Sequence, residues 1–184
     1  MTIALYAAIW LALVCLVLGE LGRRRQRQTG VHTLWATKFS AVGVLLTAAH
    51  TLLAIGVAYD WDHARAVQLT AERAATVYGV AWPGSLYVNY VFIAWWAADV
   101  TWWWLRPASF VGRPALLEWA WRALVLTMTV NGAIIFASPA GRVAGVPLVA
   151  ALLFVWWNDR LGANFLDVDG VTSHASPRGR NRRQ

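Results

Sequence analysis

The residues of this sequence that could do chemistry are His50, Asn89, Asp99, Glu118, Arg122 and Asn131, and all of them fall within long apolar runs. Hydrocarbon makes polar groups expensive. A charged or amide side chain inside a span therefore pairs with another group, or it handles a proton, ion or solute. Asp99 stands six residues before the end of its run and Arg122 about as far into the next, which puts both at a depth of roughly 9 Å. That placement predicts an Asp99–Arg122 ion pair, with Glu118 sharing the guanidinium as an i,i+4 neighbour. A pair that orients two helices is one reading of it, and a proton- or ion-handling carboxylate is the other.

His50, Asn89 and Asn131 form a second group nearer the opposite surface, within about one helical turn of depth of each other. Tyr87 and Tyr90 would add hydroxyls to this layer. It reads either as hydrogen-bonded packing or as a proton relay or ligand contact. Asn131 and Arg122 project from opposite sides of one helix. That helix is therefore central in a bundle, or one side of it meets another chain, which makes a homo-oligomer or a larger membrane complex a candidate partner alongside the lipid bilayer.

The elements that must position these groups follow from composition. Hydrophobic residues make up 59% of the 184 and charged residues only 14%, whereas soluble domains carry roughly 25% charge. The chain reads as an all-α integral membrane helical bundle. Five runs have crossing length: Thr2–Gly19, Leu34–Ala58, Pro83–Leu105, Leu117–Ser138 and Val143–Trp157, against a requirement of roughly 17–25 residues. In the third run Ser85, Asn89, Phe92, Trp96, Asp99 and Trp103 recur at steps of four and three, a packed seam facing protein. The second run carries a small-residue stripe, Ala36, Ser40, Gly43, Thr47, Thr51 and Ala54, suited to close helix approach. Between these two runs the segment from Asp62 as N-cap to Gly79 predicts a short extracytoplasmic amphipathic helix with Arg65, Gln68 and Glu72 on its polar face.

The net charge of +7 would suggest nucleic acid in a soluble protein, but here the arginines flank apolar runs and report topology, so no nucleic-acid partner is expected. Arg23, Arg24, Arg25, Arg27 and Lys38 surround the first connection, Arg106 and Arg113 lie in the third, and Arg160, Arg178, Arg180, Arg182 and Arg183 follow the fifth run. The positive-inside tendency then places the N-terminus outside and the C-terminus in the cytoplasm of a cell inner membrane. Most tryptophans fall near run ends, as interfacial anchors do; Trp10, Trp95 and Trp96 lie deep, where an indole N–H needs a partner. Residues 1–161 form the transmembrane domain in this reading, and 162–184 a basic, disordered cytoplasmic tail.

Several chemistries lack their motifs. There is no H-E-x-x-H for zinc proteolysis. A lone intramembrane aspartate cannot form an aspartyl dyad, and Ser85 lacks a nucleophile-elbow context. The single cysteine, Cys15, gives neither a disulfide framework nor a cysteine metal site. Haem is an alternative through His50, but His32 lies roughly 27 Å away on the same helix and His63 would have to fold back. No metal and no cofactor is expected.

The stretch Leu86-Tyr87-Val88-Asn89-Tyr90, continuing through Ala98-Asp99-Val100 to Trp102-Trp103-Trp104, resembles a group of small, uncharacterised bacterial multi-pass membrane proteins. The resemblance covers mainly the second and third runs and implies no activity. The sequence thus reads as a non-enzymatic structural or accessory membrane subunit packed through its polar seam. A proton, ion or small-solute transport component is the alternative, and a haem or redox membrane protein the third.

Overall fold

A computed structural model describes the backbone of residues 2–172 and the side chains of residues 3–157. The described chain is helical and contains no strand. The elements are α1 (Thr2–Thr29), α2 (Leu34–Ala58), α3 (His63–Tyr78), α4 (Ser85–Leu105), α5 (Pro107–Val111), α6 (Ala115–Val130), a π-helical turn (Asn131–Ile135) and α7 (Pro139–Thr172). The side chains of the tail expected over 162–184 lie outside the described residues, and 173–184 lie outside the described backbone.

Three helices are long and apolar enough to cross a membrane: Ile3–Thr29, Leu34–Ala58 and Pro139–Trp157. The other two expected spans differ for identifiable reasons. α4 has 21 residues, but its tryptophans, tyrosines, Asn89 and Asp99 lower its mean hydropathy. α6 has 16 and passes directly into the π turn rather than continuing as regular helix.

α1 runs well past the expected boundary at Gly19. Gly22 apart, the residues from Glu20 to Gln28 are glutamate, leucine, arginine and glutamine, all of high helical propensity, and no proline interrupts them. The helix stops where Gly30 takes up a φ of +69° and its N–H returns to the Gln26 carbonyl at 2.8 Å, a left-handed C-terminal cap that suits glycine. This extension carries Glu20, Arg23 and Gln26 into the protein interior, each 1–2% exposed.

α1 and α2 form an antiparallel pair of very close approach. A Cβ placed on Gly22 would stand 1.9 Å from Ala36 Cβ, and one on Gly19 3.1 Å from Ser40 Oγ. Across this contact Thr33 donates its hydroxyl to the Gly22 carbonyl at 2.9 Å. The small-residue stripe of α2 is buried over its first four members, Ala36, Ser40, Gly43 and Thr47, while Thr51 and Ala54 are half-buried. It also admits α4, because Gly43 leaves room for the Trp96 ring and Ser40 accepts the Trp96 indole N–H at 2.9 Å. One deep tryptophan thereby gains its partner.

The α4 seam faces the core, with Phe92, Trp96, Asp99 and Trp103 at most 5% exposed. Phe92 stacks on Trp121 of α6 at 6.0 Å and 11°. α3 lies at the end of the bundle where α4 begins. Its N-cap is Asp62, whose side chain accepts from the Arg65 N–H, and its C-cap is Gly79. Ala66, Ala71 and Ala74 are buried, while His63 stacks on Tyr90 and meets Tyr87 edge-on.

The α1–α2 contact is open to direct test. Gly22→Ala should destabilise the full chain by about 1–3 kcal/mol through overpacking, and adding Ala36→Gly should recover most of that loss. Thermal melts in detergent followed by circular dichroism would measure both.

Candidate functional site

At the end of the bundle away from α3, four elements contribute charged side chains to one buried knot. Its logic begins on α1, where Leu13, Leu16, Glu20 and Arg23 continue one helix face by steps of three and four. Leu13 and Leu16 are core residues, so the face that packs apolar side chains higher up must bury charge lower down.

Glu20 is satisfied by indoles. One carboxylate oxygen accepts from Trp121 Nε1 and the other from Trp156 Nε1, both at 2.9 Å. Arg23 lies between Glu20 and Asp99, its Nη1 3.2 Å from Glu20 Oε1 and 3.3 Å from Asp99 Oδ2. None of its nitrogens has hydrogen-bond geometry to an acceptor among the described residues. Three ring faces stand around it instead: Phe110 at 4.9 Å, Trp121 at 5.0 Å and Trp103 at 5.4 Å. A desolvated cation over an aromatic face gains about 2 kcal/mol, so the rings take over part of what hydrogen bonds usually supply.

The connection from Arg106 to Pro114 turns inward rather than running over the surface. Pro107 opens the short α5 at its first turn, and Gln26 clamps it by donating to the Pro107 carbonyl at 3.0 Å while accepting the Trp103 indole N–H at 2.6 Å. Phe110, 3% exposed, stacks on Trp103 at 5.4 Å and 11°. Arg113 then reaches Asp99 Oδ2 with Nη1 at 2.7 Å and Glu118 Oε2 with Nε at 2.8 Å, while its Nη2 bonds the same Glu118 oxygen. Burial alone would lower the Arg113 pKa, but the Glu118 and Asp99 carboxylates outweigh it and raise it above the ordinary arginine value. Glu118 Oε1 also accepts from Arg122 Nε at 2.7 Å and from Arg27 at 3.4 Å.

The expected Asp99–Arg122 pair is therefore not made. Asp99 pairs with Arg113 and Arg23, whereas Arg122 pairs with Glu118 one turn earlier on its own helix. Depth alone cannot choose among cations of equal depth, and the extension of α1 and the inward loop bring two arginines closer to Asp99. The Glu118–Arg122 i,i+4 contact is present as the spacing predicts.

The second expected group is not brought together. His50 Nδ1 lies 2.9 Å from the Leu5 carbonyl of α1, Asn131 accepts the Tyr78 hydroxyl at 2.6 Å, and Asn89 is half-buried. No hydrogen bond joins the three among the described residues. The histidines considered for haem also stand apart: His32 contacts Thr37 at 3.1 Å beneath Trp103, His63 stacks on Tyr90, and His50 faces α1. Among the described residues, no cluster of three His, Cys, Asp or Glu side chains is placed to share a metal ion.

Comparison with known proteins gives no matching family model, no similar curated protein and no similar solved structure. The reading of this knot therefore rests on its own geometry. Glu20, Arg23, Gln26, Arg27 and Arg113 are charged or amide members that residue spacing did not single out. The α1 stripe could have found the first three, but an arginine run after an apolar stretch also signals topology. No local pattern predicts Arg113, whose place depends on a loop turning inward.

Removing one charge from such a knot leaves its partners buried and uncompensated, which costs about 3–5 kcal/mol. Asp99→Asn should lower the stability of the full chain by that order. Adding Arg113→Gln should recover a substantial part, whereas adding Arg122→Gln should recover none. A melt series in detergent separates the two pairings.

Proposed function

We propose that this chain is a five-span protein of the cell inner membrane, N-terminus outside and C-terminus cytoplasmic, acting as a non-enzymatic structural or accessory subunit. The observation that carries the reading is the commitment of the knot's carboxylates among the described residues: Glu20, Asp99 and Glu118 each meet at least two donors or cations within the chain. Such groups orient helices and have little capacity left for a substrate.

Five crossings are supported by the three apolar helices, by the length of α4 and by the run of α6 with its π turn from Ala115 to Ile135. The orientation is supported by the arginine-rich first and third connections. In this orientation α3 lies on the extracytoplasmic side, its exposed face carrying Arg65, Gln68 and Glu72.

A transport path along α4 would have to connect the Asn89 level with Asp99, about 15 Å apart along the helix. Phe92 and Trp96 occupy that interval at 5% and 1% exposure, packed against Trp121. This aromatic filling favours the structural role over transport.

Two measurements test the proposal. A reporter fused after Gln184 should be active only on the cytoplasmic side and one inserted at Gly79 only outside; the reverse pattern would overturn the orientation. In proteoliposomes loaded with a pH-sensitive dye, the full chain should give no proton flux above protein-free vesicles. A flux abolished by Asp99→Asn in protein that remains folded would replace the structural reading with transport.

A further inference from the structure

The charge that the knot leaves over lies entirely at its own end of the bundle. Among residues 3–157 that end carries eight arginines and lysines against three carboxylates, whereas the α3 end sets Arg65, Arg73 and Arg142 against Asp60, Asp62 and Glu72. The three carboxylates of the knot end are Glu20, Asp99 and Glu118, and all are taken up inside the knot. No described acid remains for the surface around it.

Four cations stand on that surface. The last turns of α1 carry Arg24 and Arg25, one and two steps around the helix from the inward-facing Arg23; Arg25 is exposed and Arg24 half-buried. The contact of Gly22 with Ala36 sets the first turns of α2 alongside, with Lys38 exposed. The bond from Gln26 to the Pro107 carbonyl brings the exposed Arg106 to the same end. The side chains of Arg24, Arg25, Lys38 and Arg106 make no hydrogen bond or ion pair with another described residue.

Their neighbours identify the kind of partner. Arg24 and Arg25 come one turn after the exposed Leu21, Lys38 one turn after the exposed Trp35, and Arg106 directly after the exposed Trp104 and Leu105. Cations at the edge of an apolar belt that contains indoles lie at the depth of lipid phosphates. The rest of this chain does not complement them, since the residues after Trp157 bring five arginines and three aspartates.

We propose that this basic end binds the anionic headgroups of the leaflet it meets, gathering acidic phospholipid around the protein. The inference rests on the membrane reading above and deepens it. Orientation is decided once, during insertion, whereas this interaction persists in the finished bilayer and sets which lipids surround the chain.

The test places the full chain in vesicles of phosphatidylcholine and phosphatidylglycerol, each lipid in turn carrying a spin label on its acyl chain. Electron paramagnetic resonance then measures the fraction held in the motionally restricted shell. Phosphatidylglycerol should be preferred by about threefold or more in low salt, falling towards parity at about 1 M salt, where the Debye length is about 3 Å. The triple variant Arg25→Gln, Lys38→Gln, Arg106→Gln should lose most of this preference, whereas Arg65→Gln with Arg73→Gln at the other end should keep most of it. The single variants Lys38→Gln and Arg106→Gln, each expected to lower the preference in part, decide the matter if the triple variant does not fold. Equal uptake of the two lipids by the unaltered chain would overturn the proposal, and binding of polyglutamate to the same arginines in detergent would then assign them to an acidic protein. A preference that survives every variant would also overturn it, moving the interaction to the arginines after Trp157. A chain that restricts neither lipid would instead overturn the membrane reading itself.

Discussion

Burying Arg23 is the constraint that the rest of the structure answers to. A guanidinium 2% exposed inside an apolar bundle is tolerable only if charge and polarisable surface are arranged around it. Glu20 and Asp99 supply the charge; Trp103, Phe110 and Trp121 supply the surface. These groups come from α1, α4, α5 and α6, so one side chain ties together most of the helices. Arg113 and Glu118 extend the same solution outward, and Gln26 holds the loop that delivers Phe110.

The tight α1–α2 pair is the mechanical counterpart of this electrostatic demand. Gly19, Gly22, Ala36 and Ser40 let two backbones approach closely, which fixes the rotation of α1 about its axis. With that rotation set, Leu13 and Leu16 point to the core and Glu20 and Arg23 follow them inward. Trp96 uses the remaining space on the α2 stripe and couples α4 to the same pair. Small residues and buried charges are thus two parts of one arrangement: the first set the rotation of α1 and the second depend on it.

Much of this was legible in the residues. The α4 seam, the small stripe of α2, the caps of α3 at Asp62 and Gly79, and the Glu118–Arg122 contact all follow from helical period and local hydrogen-bond chemistry. Those signals live within a single helix. What depended on relations between elements was not legible: which of several arginines reaches Asp99, whether the third connection turns inward, and whether His50, Asn89 and Asn131 share a layer. Equal depth does not imply equal direction around a helix axis, and His50 and Asn131 turn to different neighbours. The end of α1 lies beyond the apolar run because hydropathy falls at Gly19 while the arginines and glutamines that follow still favour helix.

The inward-turning loop between α4 and α6 also orders events in time. Glu20 and Arg23 leave the ribosome early, on the first helix, whereas Asp99, Phe110, Arg113 and Trp121 are made only after two further helices. Until those arrive, the nascent α1–α2 hairpin carries a glutamate and an arginine whose other partners in the finished fold do not yet exist. That hairpin cannot settle as a finished unit. Synthesis must run into α7, which brings Trp156 to Glu20, before the early charges have all their partners, so the fold is completed by its later half closing on its first.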